Sequence, residues 1–289
     1  MATPDHPQPL PVPSTQAGRE GLAALLAHSG DAVVALDFDG TLADIVPDPE
    51  QSRAHPGAVP ALSALAPLVA SVAVVTGRPA DVAVRYGGFA GAPGLDHLVV
   101  LGHYGAERWD AATDTVRAPA PAPGVEAVRA ELPGLLERAG VEGAWIEDKG
   151  HAVAVHTRRA ADPQAAFDAL RGPLADLADR HGLMVEPGRM VLELRPPGVD
   201  KGVALTAHVR GIGARAVLYA GDDLGDLAAY GAVDRLRAEG VAGLLVCSGT
   251  EVPELAERAD LVLPGPEAVV GLLGALAGHL RRARELPAG

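Results

Sequence analysis

The stretch Val33-Val34-Ala35-Leu36-Asp37-Phe38-Asp39-Gly40-Thr41-Leu42 constrains the fold of this chain more than any other. Four apolar residues run into two carboxylates one residue apart, and a glycine follows. An apolar run of that length, closed by a turn signal, predicts a strand buried on both faces of a parallel sheet. Alternation along such a strand sends Asp37 and Asp39 one way and Phe38 the other. Open α/β sheets bind ligands beyond the carboxyl ends of their strands, which is where the pair falls. Two carboxylates that close repel unless a cation joins them or one keeps its proton. An Asx-turn or helix cap at Asp39-Gly40-Thr41 accounts for one aspartate. It leaves Asp37, read as still inside the strand, unexplained.

Further strands end in polar groups. Ser71–Val75 stops at Thr76-Gly77-Arg78, where a hydroxyl beside a glycine can donate to a phosphate oxygen; helix capping by Thr76 is the other reading of the same residues. Leu98–Leu101 stops at Gly102-His103-Tyr104-Gly105-Ala106-Glu107, in which Glu107 lines a pocket or is a surface charge. Ala216–Ala220 stops at Gly221-Asp222-Asp223, with Asp226 close behind. N-capping explains one of Asp222 and Asp223. Asp37, Asp39, Asp222 and Asp223 together suit a hard divalent cation, and Mg²⁺ takes one or two carboxylates, retained waters and a substrate phosphate. Strands at Leu244–Cys247 and Leu261–Leu263 complete the pattern before a terminal helix from Glu267. Helical spacing marks Arg19–His28, Pro56–Leu68 and Lys201–Val209.

The character changes after the proline-rich stretch Ala118–Pro123, which reads as a stiff linker. A helix over Val125–Ala139 precedes apolar runs at Ala144–Glu147 and Ala152–Thr157, and a helix over Gln164–His181 precedes runs at Leu183–Glu186 and Met190–Arg195. Helix-strand-strand twice predicts a small α+β module with an antiparallel sheet. His151 and His156 flank one of its strands, with one exposed and one buried as the plain expectation. The chain therefore divides into a disordered, proline-rich tail at 1–18, a first core segment at 19–119, an insert at 120–196 and a second core segment at 197–289.

Composition excludes several classes. A net charge of −13 argues against a nucleic-acid surface, and an anionic substrate then needs local positive groups or a metal. The single cysteine, Cys247, sits in an apolar run and reads as a buried thiol, so no internal disulfide is expected. Neither a signal peptide nor an apolar run of about 20 residues is present, which predicts a soluble, cytoplasmic protein without membrane contact. No dinucleotide or Walker glycine pattern, zinc-type His/Cys spacing or Gly-x-Ser-x-Gly elbow occurs. Of 24 Lys and Arg residues only Lys149 and Lys201 are lysines, each within Asp-Lys-Gly. A compact ammonium meets a phosphate oxygen in a way a guanidinium fork does not.

Asp37-Phe38-Asp39-Gly40-Thr41, Thr76, Lys201 and Gly221-Asp222-Asp223 occur in the order of the four motifs of the haloacid-dehalogenase-like hydrolases, and the chain resembles that superfamily. The resemblance implies an α/β fold, with a Rossmann-like parallel-sheet core and an inserted α+β cap of the C2 type. Gly102–Glu107, Trp145-Ile146-Glu147-Asp148-Lys149-Gly150 and Leu192–Gly202 further resemble the trehalose-6-phosphate phosphatases. The family's Gly-Asp-Asp-x-Thr-Asp-Glu is altered here, where Gly225 and Leu227 flank Asp226.

By that resemblance the enzyme is a phosphoric monoester hydrolase with a sugar phosphate as substrate. Asp37 is the nucleophile, Asp39 the general acid and base, and Thr76 and Lys201 hold the phosphoryl charge. Mg²⁺ is held by Asp37, Asp222 and the Asp39 carbonyl, with Asp223 and Asp226 in support. Asp37, Phe38, Asp39, Gly77, Arg78, Glu147, Lys149 and Glu193 contact substrate. A phosphatase of the same cap class acting on sucrose phosphate or mannosyl-phosphoglycerate, a phosphomutase, and a non-catalytic regulatory domain are the alternatives. Loss of the nucleophile would mark the last, and Asp37 is present.

Overall fold

The structure, a computed structural model, describes residues 9–188 and 190–285. It divides into two compact units, residues up to Arg117 together with those from Asp200 onward, and Ala118–Val199. The first unit opens with α1 (Gln16–Ala27), β1 (Ala32–Leu36), α2 (Ala58–Leu65), β2 (Ser71–Val75), α3 (Ala80–Gly87), β3 (Leu98–Gly102), β4 (Glu107–Asp110) and β5 (Thr115–Arg117). The second unit holds α4 (Pro123–Ala139), β6 (Trp145–Asp148), β7 (Val153–His156), α5 (Pro163–Arg180), β8 (Met184–Gly188) and β9 (Val191–Arg195). The first unit then resumes with α6 (Lys201–Ile212), β10 (Ala216–Gly221), α7 (Leu227–Ala238), β11 (Ala242–Ser248), α8 (Pro253–Ala256), β12 (Leu261–Leu263) and α9 (Pro266–Glu285).

Among the described residues the first unit has an eight-stranded sheet in the order β12-β11-β10-β1-β2-β3-β4-β5. The six strands from β12 to β3 are parallel, and β4 and β5 add an antiparallel edge. β1 lies in the middle, paired with β10 through Leu36↔Ala220 and with β2 through Leu36↔Val74. Alternation divides its side chains between two apolar layers. Val34 and Leu36 join the layer that contains residues of α1, α2 and α9, while Val33 and Ala35 join the layer that contains residues of α6 and α7.

The second unit is a four-stranded antiparallel sheet, β6-β7-β9-β8. Val125, Val128 and Leu132 of α4 and Leu170, Leu174 and Leu177 of α5 share a core with Val153, Val155, Leu192 and Leu194 of the sheet.

Three local expectations change. β1 ends at Leu36, so Asp37 lies just past the strand rather than inside it. The Asp37 N–H still donates to Ala220 O at 2.8 Å, which carries the ladder one residue further. The sequence reading assigns no strands to residues 107–117, because so short an exposed hairpin has too little apolar patterning to register. The tail expected to be disordered through residue 18 is ordered where it is described near α1. Thr15 caps α1 by accepting from the Gly18 N–H at 2.9 Å, and the Ser14 N–H donates to Asp260 O at 2.8 Å. Residues 1–8 of that tail lie outside the described residues. Among the described residues no helix is long and apolar enough to cross a membrane.

Asp260 anchors this corner of the fold. Its buried carboxylate accepts from the Leu245 N–H at 2.7 Å, from Arg237 and from the Thr15 hydroxyl. Asp260→Ala strands the buried Leu245 N–H and takes from Arg237 its buried partner, leaving it Asp234 and the Gly243 carbonyl, and it is expected to cost about 3 kcal/mol in chemical denaturation. A cost under about 1 kcal/mol would reduce the contact to the value of an exposed ion pair.

Candidate active site

At the carboxyl end of the parallel sheet lie Asp37 and Asp39 after β1, Thr76 after β2, and Asp222 and Asp223 after β10. After Asp37 the chain folds back tightly: the Leu42 and Ala43 N–H groups both donate to Phe38 O, and the Gly40 N–H donates to Ala43 O. Gly40 has φ of +74°, and a Cβ there would lie 2.0 Å from Asp222 Oδ2, so glycine is required twice over. Ser248, at the end of β11, donates to Gly40 O at 2.6 Å and fixes the turn from the neighbouring strand end.

Asp37 is buried and lies 2.9 Å from Lys201 Nζ through Oδ2. Lys201 opens α6, where Asp200 caps the helix by accepting from the Val203 N–H at 2.8 Å. The ammonium also donates to Asp226 Oδ1 at 2.7 Å, and Asp223 lies further off at 4.0 Å. Asp226 is fully buried and saturated with donors. Oδ1 also accepts from the Tyr219 hydroxyl at 2.6 Å, and Oδ2 accepts from the Asp222 and Asp223 N–H groups at 2.9 and 3.1 Å. Asp226 keeps these four hydrogen bonds with Gly225 and Leu227 on either side of it.

Asp39 sits apart from Lys201 in its partners. Arg78 grips it in a two-pronged ion pair, Nε to Oδ2 and Nη2 to Oδ1, both at 2.6 Å, and Ser52 donates to Oδ1 at 3.1 Å. Asp37 and Asp39 thus differ in their partners, Lys201 for the first and Arg78 for the second, and the tight turn begins only after Asp39. The Phe38 ring is buried in the core edge-to-face with Phe89, so only its main chain is left to meet a substrate.

Thr76 is buried at the end of β2, where its hydroxyl oxygen accepts from the Arg78 N–H at 3.1 Å. Gly77 packs on Tyr104, whose ring a Cβ at 77 would meet at 2.8 Å. Glu107 is more than a surface charge: its Oε2 accepts from the Ala80 N–H at 2.8 Å, capping α3. The Gly102–Glu107 segment thus braces the turn that carries Thr76 and Arg78.

The electrostatics call for a cation. Burial, followed by the charges of Asp226 and Asp223, pushes the Asp222 carboxyl up to about 8. Burial also raises Asp37 well above the usual carboxylate range, although Lys201 opposes it. Asp226 moves the other way: burial pushes it up, but Lys201 and the hydrogen bonds of Lys201, Tyr219 and the Asp223 amide overcome that and hold it low. Asp37, Asp222 and Asp226 each offer a carboxylate oxygen within 4.8 Å of the others. Because Asp226 already accepts four hydrogen bonds, Asp37 and Asp222 are the carboxylates with capacity to spare. Two carboxylates short of positive charge fit a hard divalent ion.

In the second unit, Lys149 donates to Glu193 Oε2 at 2.6 Å. Glu193 is buried in β9, and its other oxygen has no hydrogen-bond partner among the described residues. The loop holding Lys149 is set by Asp148, which accepts from the Gly150 N–H at 2.8 Å. Glu147 accepts from His156 at 2.7 Å, and that imidazole stacks on Trp145 with centroids 4.5 Å apart. His151 and His156 are both partly exposed, not one exposed and one buried. Sequence reasoning missed Ser52, Tyr219 and Ser248, because a serine or tyrosine in an apolar or loop segment carries no spacing signal.

The trehalose-phosphatase family profile matches residues 35–262. The chain is 34% identical over 270 residues to a probable trehalose-phosphate phosphatase of Sinorhizobium fredii, covering 90% of this chain and 93% of that protein. It is 35% identical over 274 residues to the trehalose-phosphate phosphatase of Mycobacterium tuberculosis, covering 91% of this chain but 65% of that longer protein. The structure of the C. albicans trehalose-6-phosphate phosphatase C-terminal domain is similar in fold, with a TM-score of 0.73 at 20% identity over 94% of this chain and 99% of that one. The chain belongs to the trehalose-phosphatase family, and it is a phosphatase on a haloacid-dehalogenase-like α/β fold.

Proposed function

We propose that the protein hydrolyses trehalose 6-phosphate to trehalose and phosphate, with Mg²⁺ bound and with Asp37 as nucleophile. The observation that carries the reading is the buried Asp37 at the end of the central strand, 2.9 Å from the Lys201 ammonium. A carboxylate in that position has one face toward a cation and is cut off from bulk water. Asp37 attacks phosphorus, the bond from phosphorus to the sugar oxygen breaks, and an aspartyl-phosphate forms. Asp39, once released by Arg78 and protonated from solvent, gives that proton to the departing oxygen, then takes one from the water that attacks the aspartyl-phosphate. Arg78 holds Asp39 until the substrate phosphate competes for the guanidinium, a match that favours arginine. Lys201 and Thr76 bear the remaining phosphoryl charge.

The donor set fits Mg²⁺, which Asp37, Asp222 and the Asp39 carbonyl would hold. When bound, the ion neutralises charge on the phosphoryl oxygens. Glu147, Lys149 and Glu193 of the second unit would recognise sugar hydroxyls, and their carboxylate and ammonium groups are suited to that work. A cytoplasmic location belongs to the same reading, in keeping with a lone buried thiol.

Phosphate release across a panel of sugar phosphates tests the proposal. Trehalose 6-phosphate should lead the panel, a chelator should stop turnover, and Asp37→Asn should leave a folded protein without activity. A preference for another sugar phosphate would overturn the substrate; full activity after exhaustive chelation would overturn the metal.

Asp222 supplies a pH dependence with a definite sign. Its folded pKa of about 8 exceeds the unfolded value near ~3.9. The folded state thus binds the proton more tightly, and this contribution to stability is lost as pH rises from about 4 to about 8. Metal-free protein should show a falling melting temperature over that range, with a shallower slope in Asp222→Asn and in the presence of Mg²⁺. An unchanged slope in Asp222→Asn would assign the dependence elsewhere.

The two lysines separate chemistry from recognition. Lys201→Ala should depress turnover on a small aryl phosphate and on the sugar phosphate alike. Lys149→Ala should weaken hydrolysis of the sugar phosphate by about 1–3 kcal/mol and spare the aryl ester. Equal harm to both esters from Lys149→Ala would remove Lys149 from sugar recognition.

A further inference from the structure

Tyr219 is a buried titratable group to which the reaction as proposed gives no task. It lies in β10, fully enclosed, with its ring edge-to-face against Tyr230 at 6.2 Å between centroids. Packing alone would be met by phenylalanine. The hydroxyl instead reaches Asp226 Oδ1 at 2.6 Å, the oxygen that also accepts from Lys201 Nζ at 2.7 Å. The opposite oxygen is taken by the Asp222 and Asp223 N–H groups. Asp226 cannot withdraw toward β10, because Gly221 is already in contact with it: a Cβ there would come within 2.3 Å of Asp226 Cγ. The carboxylate is therefore fixed by its backbone donors on one side and by tyrosine on the other.

The consequence falls on Lys201. Its ammonium has protons enough for both Asp37 Oδ2 at 2.9 Å and Asp226 Oδ1 at 2.7 Å, so the two oxygens contest the position of Nζ. Where water is excluded, a carboxylate oxygen with one donor holds an ammonium more strongly than an oxygen shared by two. We infer that the Tyr219 hydroxyl is a positioning group for Lys201, which limits the hold of Asp226 on the ammonium and keeps Nζ beside Asp37. This rests on the assignment of Lys201 to the phosphoryl charge. Removing the hydroxyl leaves the ammonium as the remaining donor to Asp226 Oδ1, which tightens that contact at the expense of the one to Asp37.

The test is hydrolysis of a small aryl phosphate by Tyr219→Phe, with kcat and KM measured separately, in the native and the Lys201→Ala backgrounds. The aryl ester makes no demand on sugar recognition, so the result stands whichever sugar phosphate is the substrate. In the native background kcat should fall about tenfold while KM changes by less than about twofold, since the interaction serves the transition state. In the Lys201→Ala background the same substitution should change kcat by less than about twofold, because its effect runs through the ammonium.

A second readout does not depend on turnover. With two lysines in the chain, ¹⁵N-lysine labelling gives two Nζ signals, and Lys149→Arg identifies which belongs to Lys201. Tyr219→Phe should shift the Lys201 signal and leave that of Lys149 in place. An unchanged kcat with an unmoved Lys201 signal would overturn the inference. So would an equal loss of kcat in both backgrounds, which would mark Tyr219 as a packing residue.

Discussion

The ammonium of Lys201, shared between Asp37 and Asp226, is the interaction on which the rest of the core site depends. A lysine buried with two carboxylates is the positive charge that balances them there, and its loss leaves both carboxylates without a counter-charge away from water. Burial alone would drive the ammonium toward its neutral form, and the Asp226 and Asp37 charges reverse that and hold it protonated. The surrounding elements serve this arrangement. β1 delivers Asp37, the first turn of α6 delivers Lys201, and the turn after β10 presents two backbone N–H groups to Asp226. Strain or slack in any of these would move the ammonium relative to Asp37.

Around this centre, the polar side chains that look incidental are braces. Ser248 holds the carbonyl of Gly40, Glu107 caps the helix that follows Arg78, and Asp200 caps the helix that begins with Lys201. Each is one hydrogen bond from a main-chain group at a strand or helix end. The geometry of the candidate site is kept in this way by fixing backbone, with side-chain rotamers following from it.

The parallel core was legible because its strands announce themselves as apolar runs that stop at charge. Asp37, Asp222 and Lys201 were legible as well, since residues of their kind in such places serve packing poorly. The ion pair of Asp39 with Arg78 was not legible. It joins residues 39 apart in sequence across a turn whose direction Gly40 sets, and strand periodicity says nothing about a turn. Tyr219 was hidden for a different reason: in Val217-Leu218-Tyr219-Ala220 it looks like one more large side chain for the core. The β4–β5 hairpin escaped because its register comes from pairing with β3, a tertiary constraint with no local period. The helix start at Gln16 moved ahead of the apolar spacing because a cap, Thr15, sets it.

An open sheet of eight strands has two borders, and each ends in a strand of three residues, β5 and β12. Beyond β5 the chain enters Ala118–Pro123, in which every second residue from 119 is proline, and beyond β12 it meets Pro264. Proline has no amide proton to offer an incoming strand. Each border thus presents a template too short to recruit a neighbour and closes with a residue that refuses to extend it. An Ala- and Val-rich parallel sheet, the kind of sequence that in isolation would stack edge to edge, is by this means given borders that disfavour such pairing.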